Sequence, residues 1–304
     1  MRIFESVTAW IVSNSTFLNV YHVFDPSEYS LIDFGDGRKL ERFKEYVIDR
    51  PSPAAEFKPI EDPTSWETAS AKFIKQGEKG KWKPASKLPK VWTIEHAATT
   101  FELKPTQFGH LGVFPEQAEN WDWIRKQVQR TAEIRVLNLF AYTGGSTIAA
   151  AAAGAEVTHV DAAKNVVSWA RRNAELSGLS DAPIRWIVED CLKFVSREVR
   201  RKKTYHAIIL DPPSYGHGPK GEVWKLTRDL MTLLNLCNQL LDPDRAFLLL
   251  TCHSPGFRGP ELNACVDDIF FGRCQTGTIA KPLRIKSLQG NYLDAGWAAR
   301  WSVV

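Results

Sequence analysis

Val136 to Asp161 reads VLNLFAYTGGSTIAAAAAGAEVTHVD, and this stretch decides the fold. The apolar run Val136 to Phe140 has the length and continuity of a buried parallel strand. Thr143-Gly144-Gly145-Ser146 makes a tight turn, an alanine-rich helix follows, and a second apolar strand ends in the acid Asp161. Strand, glycine turn, helix, strand, acid is the opening βαβ unit of a nucleoside-binding α/β fold. Paired glycines permit positive φ and leave bare backbone for a ligand to lie on. Asp161, at the tip of the second strand, is placed to accept hydrogen bonds from two ribose hydroxyls; the alternative is a helix N-cap before Ala162.

Downstream the alternation continues. Strands are expected near 134–140, 156–160, 184–188, 205–210 and 245–252, with helices near 145–153, 163–177, 191–202 and 223–241. Such a doubly wound sheet binds ligands at the carboxyl ends of its strands. The tail differs: 276–286 and 298–304 are strand-like and joined by a short link holding Gly290 and Gly296, which favours a closing antiparallel hairpin. Upstream, Asp36-Gly37 marks a hairpin tip between Leu31–Phe34 and Phe43–Ile48, and Arg50-Pro51-Ser52-Pro53 stops the second strand. Val91 to Phe114 reads as strands of a small antiparallel sheet, and Pro115 opens a helix to about Arg130. Residues 1–105 are therefore expected to form a β-rich accessory domain for substrate recognition, and 106–304 the α/β domain. The bridge from Pro105 to Pro115 could border the ligand cleft.

Composition narrows the class. The chain has 304 residues, 44% hydrophobic and 24% charged, with net charge +4, which suits a nucleic-acid partner without demanding one. Seven lysines (Lys72, Lys75, Lys79, Lys81, Lys83, Lys87, Lys90) crowd a segment with one acid, Glu78, and one ring, Trp82. This segment 72–90 is either a phosphate-contacting patch with a stacking ring or a solvated loop. Five cysteines (Cys191, Cys237, Cys252, Cys265, Cys274) with no C-x-x-C pair indicate a reducing cytoplasm, and neither they nor the scattered histidines suggest a metal site. A signal peptide and a membrane span are not expected. No pattern speaks to oligomeric state.

Four sites fall at expected strand ends. Asn138-Leu139-Phe140-Ala141-Tyr142-Thr143-Gly144-Gly145 departs from G-x-G-x-x-G and has no accompanying cation, so it suits a zwitterionic amino-acid moiety better than a pyrophosphate. Asp161 is the second. In Glu189-Asp190-Cys191, Asp190 either accepts from an adenine amine or caps a helix, while Cys191 offers backbone N–H. In Asp211-Pro212-Pro213-Ser214-Tyr215-Gly216, two prolines fix the main chain so that the acid and carbonyls point into the cleft. The absent dinucleotide fingerprint and the D-P-P turn argue against a nicotinamide-dependent oxidoreductase.

Together N-L-F-A-Y-T-G-G, Asp161, the E-D pair and D-P-P-S-Y-G resemble class I S-adenosylmethionine-dependent methyltransferases. The subgroup nearest in pattern is the bacterial large-subunit ribosomal RNA methyltransferases that include cytosine-5 enzymes. The resemblance implies a Rossmann-like sheet, S-adenosyl-L-methionine as cofactor and RNA as partner. It implies cofactor contacts from Asn138, Phe140, Ala141, Tyr142, Thr143, Gly144, Gly145, Asp161, Asp190, Cys191, Asp211 and Pro212. In the cytosine-5 enzymes a cysteine at the position of Cys252 attacks C6 of the base, making C5 nucleophilic. Cys252 and Asp211 are thus the expected catalytic pair; the alternatives are a core cysteine and direct methylation of a nitrogen. His253 stands where a small residue is usual.

Overall fold

The computed structural model describes residues 24–77, 79–84, 87–130, 132–254, 256–273 and 277–303. Glu78, Cys274 and Thr276 lie outside them. The first layer is a five-stranded sheet in sequential order: β1 (Tyr29–Gly35), β2 (Arg38–Phe43), β3 (Tyr46–Pro51), β4 (Ala71–Gln76) and β5 (Lys79–Lys83). Asp36 and Gly37 both take positive φ (49° and 71°), the conformation a two-residue hairpin with matching twist requires. The strand expected over 43–48 is split. Lys44, at φ 54°, turns the chain back, so that β2 and β3 are separate strands paired Phe43 to Tyr46. A one-turn helix α1 (Pro63–Trp66) leads to β4.

The lysine-rich segment is the β4–β5 hairpin as far as Lys83, while Lys87 and Lys90 lie beyond it outside any strand. Its register pairs Lys72 with Lys83, Ile74 with Lys81 and Gln76 with Lys79, putting Lys72, Lys79, Lys81 and Lys83 on one face. Trp82 lies on the other, packed on Phe73 at 5.0 Å and donating its indole N–H to the Thr106 carbonyl, so it is committed to packing. A hairpin of β6 (Trp92–His96) and β7 (Thr99–Leu103) follows. Leu111–Phe114, expected as strand, is loop. Gly112 sits at φ 102° with the Trp169 ring where a Cβ would be, and its carbonyl accepts from the Thr143 hydroxyl at 2.7 Å. The apolar pattern there reflects burial against Trp169 and the glycine turn, not strand pairing.

After helix α2 (Ala118–Gln129) come β8 (Arg135–Leu139), α3 (Gly145–Ala152), β9 (Glu156–Asp161), α4 (Lys164–Leu176), β10 (Ile184–Val188), α5 (Cys191–Arg200) and β11 (Ala207–Leu210). A short hairpin, β12 (Tyr215–His217) and β13 (Val223–Lys225), precedes α6 (Leu226–Leu240), β14 (Phe247–Cys252) and α7 (Gly259–Ile269). The helix expected from 223 thus starts three residues late, because Val223–Lys225 pairs with Tyr215–His217. The chain closes on β15 (Ile279–Lys286) and β16 (Tyr292–Ser302).

The seven-stranded sheet runs β10-β9-β8-β11-β14-β16-β15, parallel through β14 and antiparallel beyond it. This is the Rossmann-like sheet with a closing antiparallel hairpin. Gly296 lies inside β16 rather than in the link, at φ 116°, beside a register shift at Leu283/Arg284. The central strands read as unbroken apolar runs because helices cover both faces; β11 and β14 are buried throughout. One apolar cluster runs without a break from Leu31, Phe43 and Phe101 through Trp121 to Val136 and Leu249.

Candidate active site

Between β8 and α3 the backbone is held in an uncommon path. Phe140 and Tyr142 take positive φ (54° and 48°), as does Gly144 (88°). Each non-glycine excursion costs about 1–2 kcal/mol and persists only where surrounding contacts dictate it. Those contacts are present. Phe140 N–H donates to Cys191 Sγ (3.3 Å), Tyr142 N–H to Asp161 Oδ2 (3.0 Å), and Asn173 Nδ2 to the Thr143 carbonyl (2.9 Å). Below the loop, Asn138 Nδ2 donates to Thr147 Oγ1 (2.9 Å), which meets His159 Nδ1 at 2.9 Å, tying β8, α3 and β9 together.

Only Gly144 of the two glycines has positive φ. Gly145 is bare for a different reason from the expected one: a Cβ there would lie 2.6 Å from the Trp121 ring. The second glycine makes room for packing by α2.

Asp161 is half-exposed at the end of β9, and its other oxygen accepts from Ala163 N–H at 2.9 Å. Asp161 is not the N-cap of α4, which is Ala163 without a side-chain cap bond; it braces the turn into that helix and lines the cavity. Burial pushes its pKa up against the backbone donors that pull it down. Asp190 does cap α5, accepting from Lys193 N–H at 2.9 Å, while lining the same cavity.

That cavity, of about 450 Å³, gathers Phe140, Tyr142, Asp161, Asp190, Cys191, Asp211 and Pro212 from four strand ends. A small adjoining recess takes Asn138, Ala141, Thr143, Gly144 and Gly145. No lysine or arginine lines either one. All the sequence-derived cofactor candidates therefore converge on one place. Gly216, His217 and Gly218 of the β12–β13 hairpin cover its outer side, and Glu222 in that hairpin meets Lys193 of α5 at 2.5 Å.

Asp211 receives Thr251 Oγ1 at 2.5 Å, His253 Nε2 at 3.3 Å and Gln117 Nε2 at 3.4 Å. Burial raises its pKa, but the His253 cation and the hydrogen bonds from His253 and Thr251 outweigh this and leave it below the usual carboxylate value. His253 responds in the opposite sense: burial lowers it, yet the Asp211 charge, with Glu116 and the Ala295 carbonyl, lifts it to about 9. Gln117 carries no sequence motif. Its only signal was its place just after Pro115.

Cys252 lies outside the cavity. It ends β14 with 1% exposure, in the wall of a larger neighbouring groove of about 730 Å³. Burial pushes its thiol up, against hydrogen bonding from Ser254. The thiol expected to reach the cleft opposite Asp211 is covered and lines the neighbouring groove, within reach of the Asp211 charge, which raises it further. Cavity and groove communicate, because His110, Phe114, His253 and Ser254 line both. The groove wall carries Lys39, Arg50, Lys75 and Arg258. His110 lies at an open edge, yet packing around it and the Arg50 and Lys39 cations push its pKa below the usual imidazole value. Among the described residues no cluster of His, Cys, Asp and Glu could hold a metal, and no helix is long and apolar enough to cross a membrane.

Comparison with known proteins gives four findings. The family model for S-adenosylmethionine-dependent methyltransferases matches residues 75–265. The crystal structure of a SAM-dependent methyltransferase from Agrobacterium tumefaciens superimposes with TM-score 0.86 at 38% identity, covering 91% of each chain. The ribosomal RNA large subunit methyltransferase K/L of Magnetococcus marinus is 34% identical over 166 residues, which are 53% of this chain and 22% of that protein. A protein of the same name from Pseudoalteromonas atlantica is 28% identical over 256 residues, 79% of this chain and 35% of its own length. The chain thus spans about a quarter to a third of these curated relatives.

Proposed function

Since the chain belongs to the S-adenosylmethionine-dependent methyltransferase family, we propose that it transfers a methyl group to RNA, with large-subunit ribosomal RNA as the substrate class. One observation carries this reading: a cavity with three acids and no lysine or arginine, its His253 paired with Asp211, opens directly into a groove whose wall carries Lys75 and Arg258 besides the Glu41-paired Lys39 and Arg50, against two acids, Glu116 and Asp294. The first suits a sulfonium donor and the second a polyanion. In this reading residues 1–105 form the substrate-recognition domain and 106–304 the transferase domain.

S-adenosyl-L-methionine is the family's cofactor, and the residues present fit it. Its methyl sits on a positively charged sulfur and needs no metal or phosphate-binding cation. Asp161 would take the ribose hydroxyls, Asp190 the adenine amine, and the backbone of Tyr142 to Gly145 the amino-acid end. Asp211, held ionised by His253 and Thr251, favours positive charge at the reacting centre and orients a base N–H toward itself. Phe114 packs at a tilt on Tyr142, ring centroids 5.3 Å apart, and gives the junction an apolar side. His110, neutral at pH 7, is a proton acceptor at that junction.

Two routes remain for the methylated atom. The covered, raised thiol of Cys252 supports direct methylation of a nitrogen, which needs positioning and proton removal only. Attack by Cys252 on a cytosine, giving carbon methylation at C5, is supported by its place in the groove wall beside His253. Protein-free large-subunit RNA incubated with methyl-labelled cofactor should take up label, and nucleoside mass spectrometry then names the atom. Cys252→Ala should keep activity within about threefold; loss of three orders of magnitude would establish the adduct route. Failure of any RNA to be labelled would overturn the substrate assignment.

A further inference from the structure

Two carboxylates lie beneath the groove, and the protein provides for only one. Glu41 is fully buried and takes Arg50 Nε (2.5 Å), Arg50 Nη2 (3.1 Å), Lys39 Nζ (3.0 Å) and the Tyr29 hydroxyl (2.9 Å). The last guanidinium group, Arg50 Nη1, goes to the Gly109 carbonyl at 3.3 Å. Glu116, in the first turn before α2, is 7% exposed and lines the groove, and its Oε2 is buried with no hydrogen-bond partner. Its charge acts on both Arg50 and His253, so it stands close to each. Neither bonds it: the Arg50 hydrogen bonds go to Glu41 and Gly109, while His253 gives Nδ1 to the Ala295 carbonyl (2.5 Å) and Nε2 to Asp211.

A buried carboxylate oxygen without a donor is costly, and native proteins tolerate it chiefly where something else supplies the donor. A helix start favours an acid electrostatically but leaves this oxygen unbonded. The surroundings indicate the donor's chemistry. Phe114 and Trp297 line the same groove, and Phe108, 53% exposed, stands at its edge. Aromatic walls accept the flat face of a base, Lys75 and Arg258 of the groove wall suit its phosphates, and a carboxylate accepts N–H from its edge.

Building on the RNA reading above, we infer that Glu116 is a specificity-determining residue that accepts hydrogen bonds from the amino edge of the target base. Cytosine, adenine and guanine present an exocyclic NH₂. Uracil presents one imide N–H between two carbonyls, which repel a carboxylate. The groove therefore selects amino-bearing bases and disfavours uracil.

The test measures binding of fluorescent oligo(C), oligo(A) and oligo(U) to the full chain saturated with S-adenosylhomocysteine. Wild-type protein should bind the better of oligo(C) and oligo(A) roughly 10- to 100-fold more tightly than oligo(U). Glu116→Gln and Glu116→Ala should reduce that ratio to within about threefold, with S-adenosylhomocysteine affinity unchanged by calorimetry. Binding without base preference, or a preference that both variants keep, overturns the inference and leaves the RNA assignment standing. A fall in thermal midpoint with selectivity intact assigns Glu116 to the helix start and equally overturns it. No binding of any oligonucleotide at low salt removes both readings together.

Discussion

The cavity and the groove meet at four shared residues, yet they are built on different principles. The cavity is made of strand ends and main chain, and its polar groups are already engaged: Asp161 holds two backbone N–H groups, Asp190 caps a helix, Asp211 has three donors. The groove is made of side chains brought from β2, β3, β4, the 105–115 bridge and the closing hairpin. It leaves one carboxylate oxygen unbonded. A site for a constant ligand can be rigid and self-satisfied, whereas a site for a variable one keeps its discriminating contacts open.

The contrast is broken most forcefully from the groove side. Arg50→Met leaves Glu41 as a buried carboxylate short of its main partner and should cost about 3–5 kcal/mol in urea unfolding. S-adenosylhomocysteine affinity of the folded fraction should survive. The same pair predicts a pH effect. Glu41 is held at about 2, below its ordinary value, with burial opposing and Arg50 and Lys39 prevailing. The stability it contributes is therefore complete above pH ~4.5 and lost as pH falls through about 2. An acid-unfolding midpoint identical in wild type and Arg50→Met would contradict this.

From the cavity side, Asp161→Ala removes the proposed ribose acceptor and both backbone anchors. Calorimetry should show S-adenosylhomocysteine affinity falling about 100-fold, and the two orphaned N–H groups should cost about 1–3 kcal/mol in urea unfolding. An unchanged affinity would place the cofactor elsewhere. A smaller effect sharpens the boundary between the two regions. His253, lifted to about 9 by Asp211, stays protonated at neutral pH; the stability the ion pair contributes is complete below pH ~6.5, and the pair itself is lost as pH rises through about 9. Methyl transfer should decline over that alkaline limb. His253→Asn should flatten it, leaving a several-fold lower plateau; a retained limb would assign it to another group.

The same division governs what the sequence revealed. Asn138 to Gly145, Asp161, Asp190 and Asp211 were legible because the parallel sheet delivers every strand end to one side. A local motif there is also a spatial one. Glu116, Gln117 and His110 were not, for they follow no spacing and acquire meaning only when α2 and the bridge dock against β14 and β16. Cys252 shows the limit from the other side: its strand-end position was legible, but its burial depends on β16 pairing Trp297 opposite it. Leu111–Phe114 misled because burial behind Trp169 and Thr143 imitates the apolar signature of a strand. The lysines of β4 and β5 were evident as a cluster, while their separation into a lysine face and a Phe73–Trp82 face needed the register.

The turn of the closing hairpin has a consequence for whatever enters the groove. Ser287 bridges to Leu31, Leu288 N–H donates to the Leu31 carbonyl at 3.0 Å, and Lys58 Nζ reaches the Tyr292 carbonyl at 3.1 Å. These links stitch the small sheet to the large one, so the two walls cannot swing apart without tearing main-chain bonds. Under the proposed reading the nucleic acid must do the moving. Its target nucleotide has to leave the stack and swing out, at a few kcal/mol of unstacking. Loops, bulges and frayed ends meet that demand at the lowest cost, and an uninterrupted duplex is excluded by the stiffness of its host.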